Sequence, residues 1–316
     1  MNEVFTFGSR GSQLALWQTE SIRRAVEAQH PELLAEVIVI RTTGDRVLDS
    51  PLSKIGDRGL FTREIEAALL SGEIDAAVHS LKDLPTELPA GLVLGAVTRR
   101  EDVRDAFIPH PKKAARRLAD VPRRGTIATG SLRRKSQVLH LRPDLTIVDL
   151  RGNVNTRLRK LAESDWDGII AAHAGLLRLG LTGTVGEVIP TEQILPAVGQ
   201  GAIAVEIREA DEKSMEILSP LSDSHTMTAV RAERAFLQRL EGGCQVPIGA
   251  YGKVEGESFI FSGYIGTIDG RKALSGTRRG GIEEAEMLAV RLADDLLSDG
   301  ADEILEEIRR GSDGKN

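Results

Sequence analysis

The most constraining feature of this sequence is an alternation, over about its first 200 residues, of short apolar runs with stretches of helical periodicity. The runs at residues 37–40, 92–97 and 168–172 are continuous and rich in branched side chains, which is typical of strands buried on both faces. Between such runs, the apolar residues within 61–69 recur at the spacing of one helix face. Strands that alternate with helices favour an α/β fold with largely parallel sheets.

Two changes in composition divide the chain of 316 residues. Residues 99–124 are rich in Arg, Lys, Asp and Pro, and residues 210–225 form a second polar stretch, so both are candidate domain boundaries. At roughly 150 residues per domain, this length suggests two domains and leaves room for three small ones. Beyond the second boundary, the pattern predicts a helix over 226–240, strand-like segments, and a final helix over 282–309.

Composition excludes several classes of protein. Hydrophobic residues make up 41% and charged residues 28% of the chain, and no apolar run approaches the roughly 18–20 residues of a membrane span. A net charge of −6 and an aromatic content of 3% disfavour a nucleic-acid-binding protein. The single cysteine excludes an intrachain disulfide framework, and the N-terminus lacks a signal-peptide pattern, so we expect a cytoplasmic protein.

The six histidines carry little functional signal. Their spacing does not match that of metal ligands, so we expect no metal site. His79 and His173 end or follow apolar runs, and we interpret both as packed or turn histidines rather than ligands.

Polar residues gather where the predicted strands end, which is where α/β sheets bind ligands. The turns at residues 8–12, 41–45, 80–83, 129–134 and 151–157 combine Gly, Ser or Thr with Arg or Lys. Free backbone N–H groups at a helix N-terminus and arginine forks both suit carboxylate or phosphate. Any one of these cations is interpreted as a solvated surface charge, but five such turns together favour one cleft for a strongly anionic ligand.

Asp83 and Cys244 are the two residues whose chemistry stands out. Asp83 is a carboxylate among cations, and it fits either a counter-ion or turn cap, or a group that delivers a proton or stabilises a developing cation. Cys244 follows two glycines and precedes Pro247, so its thiol is placed on a tight loop. A lone cysteine is usually a small buried hydrophobe, and that alternative stays open.

Taken together, the motifs resemble those of the porphobilinogen deaminase family, also called hydroxymethylbilane synthases. The matching segments occur in order over about residues 5–250, and the segment around Asp83 and the cysteine loop are the most specific. The matches include SRGSQLALW at 9–17, DAAVHSLKDLP at 75–85, GSLRR at 130–134, LRGNVNTR at 150–157, LPAVGQG at 195–201 and the loop 240–249.

The resemblance implies a fold. It predicts two α/β domains similar to periplasmic binding proteins, which flank a cleft, and a smaller C-terminal α/β domain that carries the cofactor cysteine. The first domain would comprise residues 1–100 and 200–220, the second 105–196, and the third 223–316.

The resemblance also implies a reaction. The family joins four porphobilinogen molecules head to tail, releases ammonia at each step and produces hydroxymethylbilane. It is primed by a dipyrromethane cofactor held through a thioether, and the matching residue here is Cys244. Asp83 matches the catalytic aspartate.

Lys54 and Phe61 flank a segment that resembles a mobile lid. The expected partner is the small-molecule substrate, with no nucleic acid or membrane, and the protein is expected to be a monomer.

A further set of residues is implied to bind the carboxylates of cofactor and substrate. By matching position, these residues are Arg10, Ser12, Ser80, Lys82, Thr129, Ser131, Arg133, Arg134, Arg151, Gly152, Arg157, Arg178 and Gln200.

Two other functions account for part of the same sequence. A non-catalytic, two-lobed anion-binding protein accounts for the arginines at the strand ends, but it gives no role to Asp83 or to the Cys244 loop. A cysteine hydrolase would need a histidine beside the thiol, and none lies near Cys244 in the sequence.

Overall fold

A computed structural model describes residues 4–46, 59, 61–240 and 246–313. The described residues form two compact units. One comprises 4–46, 59, 61–101 and 201–227, and the other comprises 102–200, 228–240 and 246–313. Among the helices of these residues, every one is too short or too polar to span a bilayer.

The strands belong to three sheets. In chain order they are β1 (Val4–Ser9), β2 (Leu34–Val39), β3 (Ala76–Ser80), β4 (Leu92–Val97), β5 (Asp105–Pro109), β6 (Thr126–Ala128), β7 (Thr146–Val148), β8 (Gly168–Ala172), β9 (Glu187–Ile189), β10 (Ile203–Arg208), β11 (Ile248–Glu255), β12 (Ser258–Gly266) and β13 (Ala273–Gly281).

The α-helices connect and cover these strands. They are α1 (Gln13–Gln29), α2 (Thr43–Arg46), α3 (Arg63–Ser71), α4 (Leu132–Leu141), α5 (Val154–Glu163), α6 (His173–Arg178), α7 (Glu212–Leu218), α8 (Ser224–Arg239), α9 (Ala285–Leu296) and α10 (Asp302–Asp313).

The first unit contains a five-stranded sheet of order β2-β1-β3-β10-β4. Strands β1, β2 and β3 run parallel, whereas β10 is antiparallel to both of its neighbours. The strand at 37–40 is confirmed in part, but its expected burial on both faces is wrong, because β2 is an edge strand and the Val39 side chain is 52% exposed.

The second unit repeats this arrangement. Its five-stranded sheet has the order β7-β6-β8-β5-β9, with β6, β7 and β8 parallel and β5 antiparallel to β8 and β9. The antiparallel strand occupies the same place in both sheets, although it comes last along the chain in one and first in the other. The expectation of largely parallel sheets was therefore too simple, since an apolar run reports burial and not strand direction.

The C-terminal part of the second unit is an antiparallel sheet of order β11-β12-β13. Helices α8 and α9 cover it through an apolar core in which the rings of Phe236 and Phe261 lie 5.3 Å apart, centroid to centroid. With this smaller α/β part, the predicted fold class is confirmed. The predicted helix over 282–309 is instead α9 and α10, separated at Gly300, whose φ of 103° lies in the left-handed region that favours glycine.

Candidate active site

A small pocket with a volume of about 60 Å³ lies at one edge of the first unit's sheet and is open to the outside. Its walls include side chains that follow β1 and β3, which are parallel neighbours, so their carboxyl ends meet at one edge. The turns at 8–12 and 80–83 are thereby brought together as the sequence predicted. The lining residues are Arg10, Ser12, Leu14, Ala15, Gln18, Phe61, Thr62, Val78, His79, Ser80 and Asp83.

Arg10 and Ser12 are held in place by local contacts. The guanidinium carbon of Arg10 lies 4.2 Å from the centroid of the Phe61 ring, a distance at which cation and ring attract each other. Ser12 is the N-cap of α1, and its hydroxyl accepts a hydrogen bond from the backbone N–H of Ala15 at 3.3 Å. This edge therefore offers a cation, a hydroxyl and a helix N-terminus to an anionic ligand.

Ser80 is fixed by a residue that sequence reasoning missed. The Nε2 of Gln18 lies 2.9 Å from the Ser80 hydroxyl oxygen, and its Oε1 lies 3.1 Å from the same oxygen. Gln18 is only 2% exposed although it is polar. Its place on the inner face of α1 was the available signal, because a buried glutamine needs hydrogen-bond partners.

Asp83 ends a short 3-10 helix, Leu81–Asp83, that leaves β3 at the pocket. The backbone N–H of Leu84 closes this turn by donating to the carbonyl of Leu81 at 3.1 Å. Leu81 and Leu84 are buried, whereas Asp83 is exposed and lines the pocket. The apolar neighbours anchor the turn and direct the carboxylate to the pocket, and Lys82 beside it is half-buried.

In the second unit, the turn after β6 carries Thr129 and Ser131. The buried Thr129 hydroxyl accepts from the backbone N–H of Ser131 at 3.3 Å. Ser131 is the N-cap of α4 and accepts from the backbone N–H of Arg134 at 3.4 Å. Ser12 caps α1 in the same way, so the helix after β1 and the helix after β6 both begin with a serine N-cap.

Arg133, Arg134 and Gln200 converge on a carboxylate that the sequence analysis did not name. Asp105 receives Arg133 at 2.8 Å, Arg134 at 2.7 Å and Gln200 Nε2 at 2.9 Å. Asp105 is fully buried, and the two arginines are 4% and 5% exposed. Burial alone would raise the pKa of Asp105, but the charges of the two arginines outweigh it and hold that pKa below its usual range.

The turn after β7 places Arg151, Gly152 and Arg157 together. Gly152 has a φ of 111°, and the Nε of Arg157 donates to its carbonyl at 2.8 Å. Asn153 is the N-cap of α5 and accepts from the backbone N–H of Thr156 at 2.9 Å. Arg151 is half-buried, and burial lowers the pKa of its guanidinium.

The end of β8 carries two further groups. Arg178, the last residue of α6, is half-buried. His173, the first residue of α6, places its Nδ1 3.0 Å from Asp102 Oδ2, and Arg104 binds the same carboxylate. His173 is thus a turn histidine, as interpreted from the sequence, and it is oriented by an ion pair. Lys54 and Cys244 lie outside the described residues.

Comparisons with known proteins identify what the chain is similar to. A family model described as the porphobilinogen deaminase dipyromethane cofactor binding domain matches residues 5–216, and the C-terminal domain of the same family matches residues 227–298.

Individual relatives match along nearly the whole chain. A porphobilinogen deaminase from Chloroherpeton thalassium is 48% identical over 313 residues, covering 98% of this chain and 99% of the relative. One from Carboxydothermus hydrogenoformans is 49% identical over 310 residues, covering 98% and 99%. Among solved structures, the methionine-binding protein MetQ matches 69% of this chain and 89% of its own with 13% identity and a TM-score of 0.45.

Proposed function

Since the chain belongs to the porphobilinogen deaminase family, we propose that the pocket beside Asp83 is where its reaction takes place. The chain is a transferase of tetrapyrrole synthesis with a dipyrromethane cofactor. It joins four porphobilinogen molecules head to tail, releases ammonia at each step and yields hydroxymethylbilane. A porphobilinogen deaminase is neither a non-catalytic anion-binding protein nor a cysteine hydrolase, so membership of the family excludes both of these alternatives.

Asp83 acts on the pyrrole that loses its amino group. The supporting observation is an exposed carboxylate in a pocket that is also lined by Arg10, by hydroxyls, by the amide of Gln18 and the imidazole of His79, and by apolar side chains. As the carbon–nitrogen bond breaks, positive charge develops on the pyrrole, and a carboxylate beside it lowers the energy of that state. The same oxygens can accept a hydrogen bond from the pyrrole N–H.

The cations and hydroxyls around the two sheet edges bind ligand carboxylates. Each porphobilinogen carries an acetate and a propionate, so each added ring brings two negative charges. In the first unit, Arg10, Ser12, Ser80 and Lys82 supply donors of the right kind. In the second unit, we propose the same role for Thr129, Ser131, Arg151, Gly152, Arg157 and Arg178, and also for Arg133, Arg134 and Gln200, which bind Asp105 as well and therefore bring less net charge to a ligand.

The described residues also fit the cofactor, because its two pyrroles carry the same acidic groups. Half-buried Arg10, with the hydroxyls of Ser12 and Ser80 beside it, suits such a group. When bound, the cofactor supplies the pyrrole carbon to which the first substrate is joined. We assign its attachment to the Cys244 sulfur, whose thioether resists hydrolysis and so anchors the growing chain. Lys54 and Phe61 are assigned to a lid over the pocket.

Mass spectrometry of the denatured protein, with an ammonia assay, tests the proposal. We expect the protein to be heavier by two pyrrole units, the increment to map to Cys244, and Cys244→Ser to lack both the increment and turnover. An unmodified Cys244 in protein that consumes porphobilinogen would contradict the anchor. Binding of porphobilinogen without ammonia release would contradict the enzyme.

The proposal also covers the domains of the chain, its oligomeric state, its location and its partners. We propose three domains, comprising residues 1–100 with 200–220, 105–196 and 223–316, in a monomeric cytoplasmic enzyme that binds neither nucleic acid nor membrane. Sedimentation at micromolar protein concentration is expected to give the mass of one chain. A mass of two chains would contradict the monomer.

A further inference from the structure

Three buried ionisable side chains lie directly behind the Asp83 pocket. His79 lines the pocket but is only 5% exposed. Its Nε2 lies 3.4 Å from Oε2 of Glu206, which is fully buried. Glu66, 7% exposed, is close enough to feel the charges of both. We call His79, Glu206 and Glu66 the buried trio.

The sheet register explains how the trio assembles. Antiparallel pairing sets Ala204 opposite His79 and Glu206 opposite Ala77. Because side chains alternate along a strand, His79 and Glu206 project from the same face as Ala77. Helix α3, which contributes Glu66, covers that face through an apolar cluster that includes Ile65 and Leu69. Polar groups thus meet inside an apolar layer, one strand from the pocket.

Burying ionisable groups such as these lowers the stability of the folded protein unless the groups share protons. His79 Nε2, both carboxylate oxygens of Glu206 and Oε1 of Glu66 are buried without a hydrogen-bond partner. Burial raises the pKa of Glu66, and the negative charge of Glu206 adds to that effect. Two carboxylates and one imidazole thus meet in one buried place with polar atoms that lack hydrogen-bond partners, and a proton placed among them would satisfy those atoms.

We propose that the buried trio is the proton store of the Asp83 pocket, with His79 as the group that exchanges protons with the ligand and Glu206 and Glu66 as positioning residues. The inference rests on the proposed function. Joining two pyrroles forms a carbon–carbon bond, and it breaks the bond from carbon to the leaving nitrogen and the C–H bond at the attacking α-carbon. The first electron pair leaves with ammonia, and the second restores the aromatic ring. The proton from the α-carbon passes to the trio and then to ammonia, which departs as ammonium.

The position of the trio suits this task better than that of Asp83 alone. Asp83 is exposed, and a carboxylate that stabilises a cation does so only while it is charged. A separate acceptor lets Asp83 stay ionised through the step. Among the charged groups around the trio, Glu206 from β10 lies beside His79, and Glu66 from α3 interacts with the charges of His79 and Arg63. Arg10 and Asp83 line the same pocket as His79, and Lys82 is the neighbour of Asp83 in the chain.

Kinetics of the holoenzyme with His79→Gln and Glu206→Gln test the inference, with Glu73→Gln at an exposed site of the same unit as the control. In His79→Gln we expect kcat to fall about 100-fold at an unchanged KM. Porphobilinogen deuterated at its free α-carbon should then show a larger isotope effect than with the unsubstituted enzyme, because proton removal becomes rate-limiting.

Glu206→Gln gives the sharper result, because it acts through the imidazole. Loss of the anion beside His79 makes the trio harder to protonate, so the acidic limb of the kcat profile should move to lower pH by about one unit. Glu66→Gln should move it the same way by less. It serves as the second variant if Glu206→Gln does not fold.

Two outcomes separate failure of the inference from failure of the proposed function. Variants that lose thermal stability but keep the pH profile and isotope effect of the unsubstituted enzyme would overturn the proton store and leave the transferase intact. If the unsubstituted holoenzyme released no ammonia from porphobilinogen, the proposed function itself would fail. Glu73→Gln should match the unsubstituted enzyme in every measurement.

Discussion

The two five-stranded sheets share one pattern of strand directions, yet the charged side chains at their carboxyl edges have different surroundings. At the first edge, Asp83 is exposed and Arg10 lies against the neutral ring of Phe61. At the second edge, Arg133 and Arg134 are buried against Asp105. The same topology thus supports an edge with an exposed carboxylate and an arginine stacked on a ring, and an edge whose arginines are buried against a carboxylate.

This difference teaches that a cation at a strand end is not by itself a ligand site. What matters is the nearest anion of the protein. A buried arginine with its own carboxylate stabilises the turn that carries it, and removing one partner of such a pair is strongly destabilising. Arg10, by contrast, is half-buried at a pocket and is attracted to the face of an aromatic ring.

The largest effect is expected from Asp83→Asn, which tests the first edge. The amide keeps the size of the side chain but cannot stabilise positive charge, so turnover should fall about 100- to 10,000-fold. The cofactor increment in the mass and the thermal midpoint should stay the same, since Asp83 is exposed. Glu87→Gln, an exposed carboxylate of the same unit, is the control. Near-normal ammonia release by Asp83→Asn would refute its role.

Asp105→Asn tests the second edge. It leaves two buried guanidinium groups facing a neutral amide, so the free energy of unfolding should fall by about 3–5 kcal/mol. Denaturant unfolding measures this loss. The control is Asp294→Asn, which breaks an exposed pair with Arg239 and should cost about 1 kcal/mol or less. Equal losses in the two variants would contradict the difference drawn between the edges.

The pH dependence of unfolding sharpens the same comparison. The pKa of Asp105 is held below its unfolded value of about 3.9, so the folded state favours the ionised carboxylate. Its contribution to stability is fully present above that unfolded pKa and is lost as pH falls through the folded-state pKa. The gap in stability between the unsubstituted protein and Asp105→Asn should therefore narrow below about pH 4. A gap that stays constant to acidic pH would refute the ion pair as its cause.

The difference between the edges also marks the limit of what the sequence predicts. Continuous apolar runs predicted β4 and β8, because burial on both faces leaves a pattern in the chain itself. The directions of β5 and β10 left no such pattern. The partner of Arg133 could not be predicted from the sequence either, since Asp105 lies 28 residues away and only the fold brings the two side chains together.

Some residues of the pocket could be predicted from the sequence, and others could not. Arg10, Ser12 and Asp83 follow strands, so position in the chain was enough to select them. His79 and Glu206 meet only through antiparallel pairing of β3 with β10, more than a hundred residues apart, and the sequence treated His79 as a packed histidine. Family resemblance supplied the roles of Asp83 and Cys244, which spacing alone left open.

Removing the two serine N-caps compares the two edges through a smaller loss of unfolding free energy. Ser12→Ala and Ser131→Ala each delete a hydroxyl that accepts from a backbone N–H, so each should cost about 1 kcal/mol in unfolding free energy. Both serines are also proposed to bind ligand carboxylates, and Ser12 lines the pocket, so KM should rise in both variants. Ser131→Thr and Ser12→Thr, which keep a capping hydroxyl, are the matched controls. A KM effect in Ser12→Thr as large as in Ser12→Ala would contradict a role for the hydroxyl.

The smallest effect is expected from Phe61→Leu, which tests how the ring holds Arg10 at the pocket. Leucine keeps apolar contact but lacks the ring face, so about 0.5–1 kcal/mol of attraction for the guanidinium is lost. Arg10 then becomes less fixed, and KM for porphobilinogen should rise about two- to fivefold with kcat nearly constant, whereas Phe61→Tyr should behave like the unsubstituted enzyme. If Phe61→Leu changed kcat alone, the ring would act on the chemical step or on the lid. The position of Arg10 at the first edge would then need another explanation.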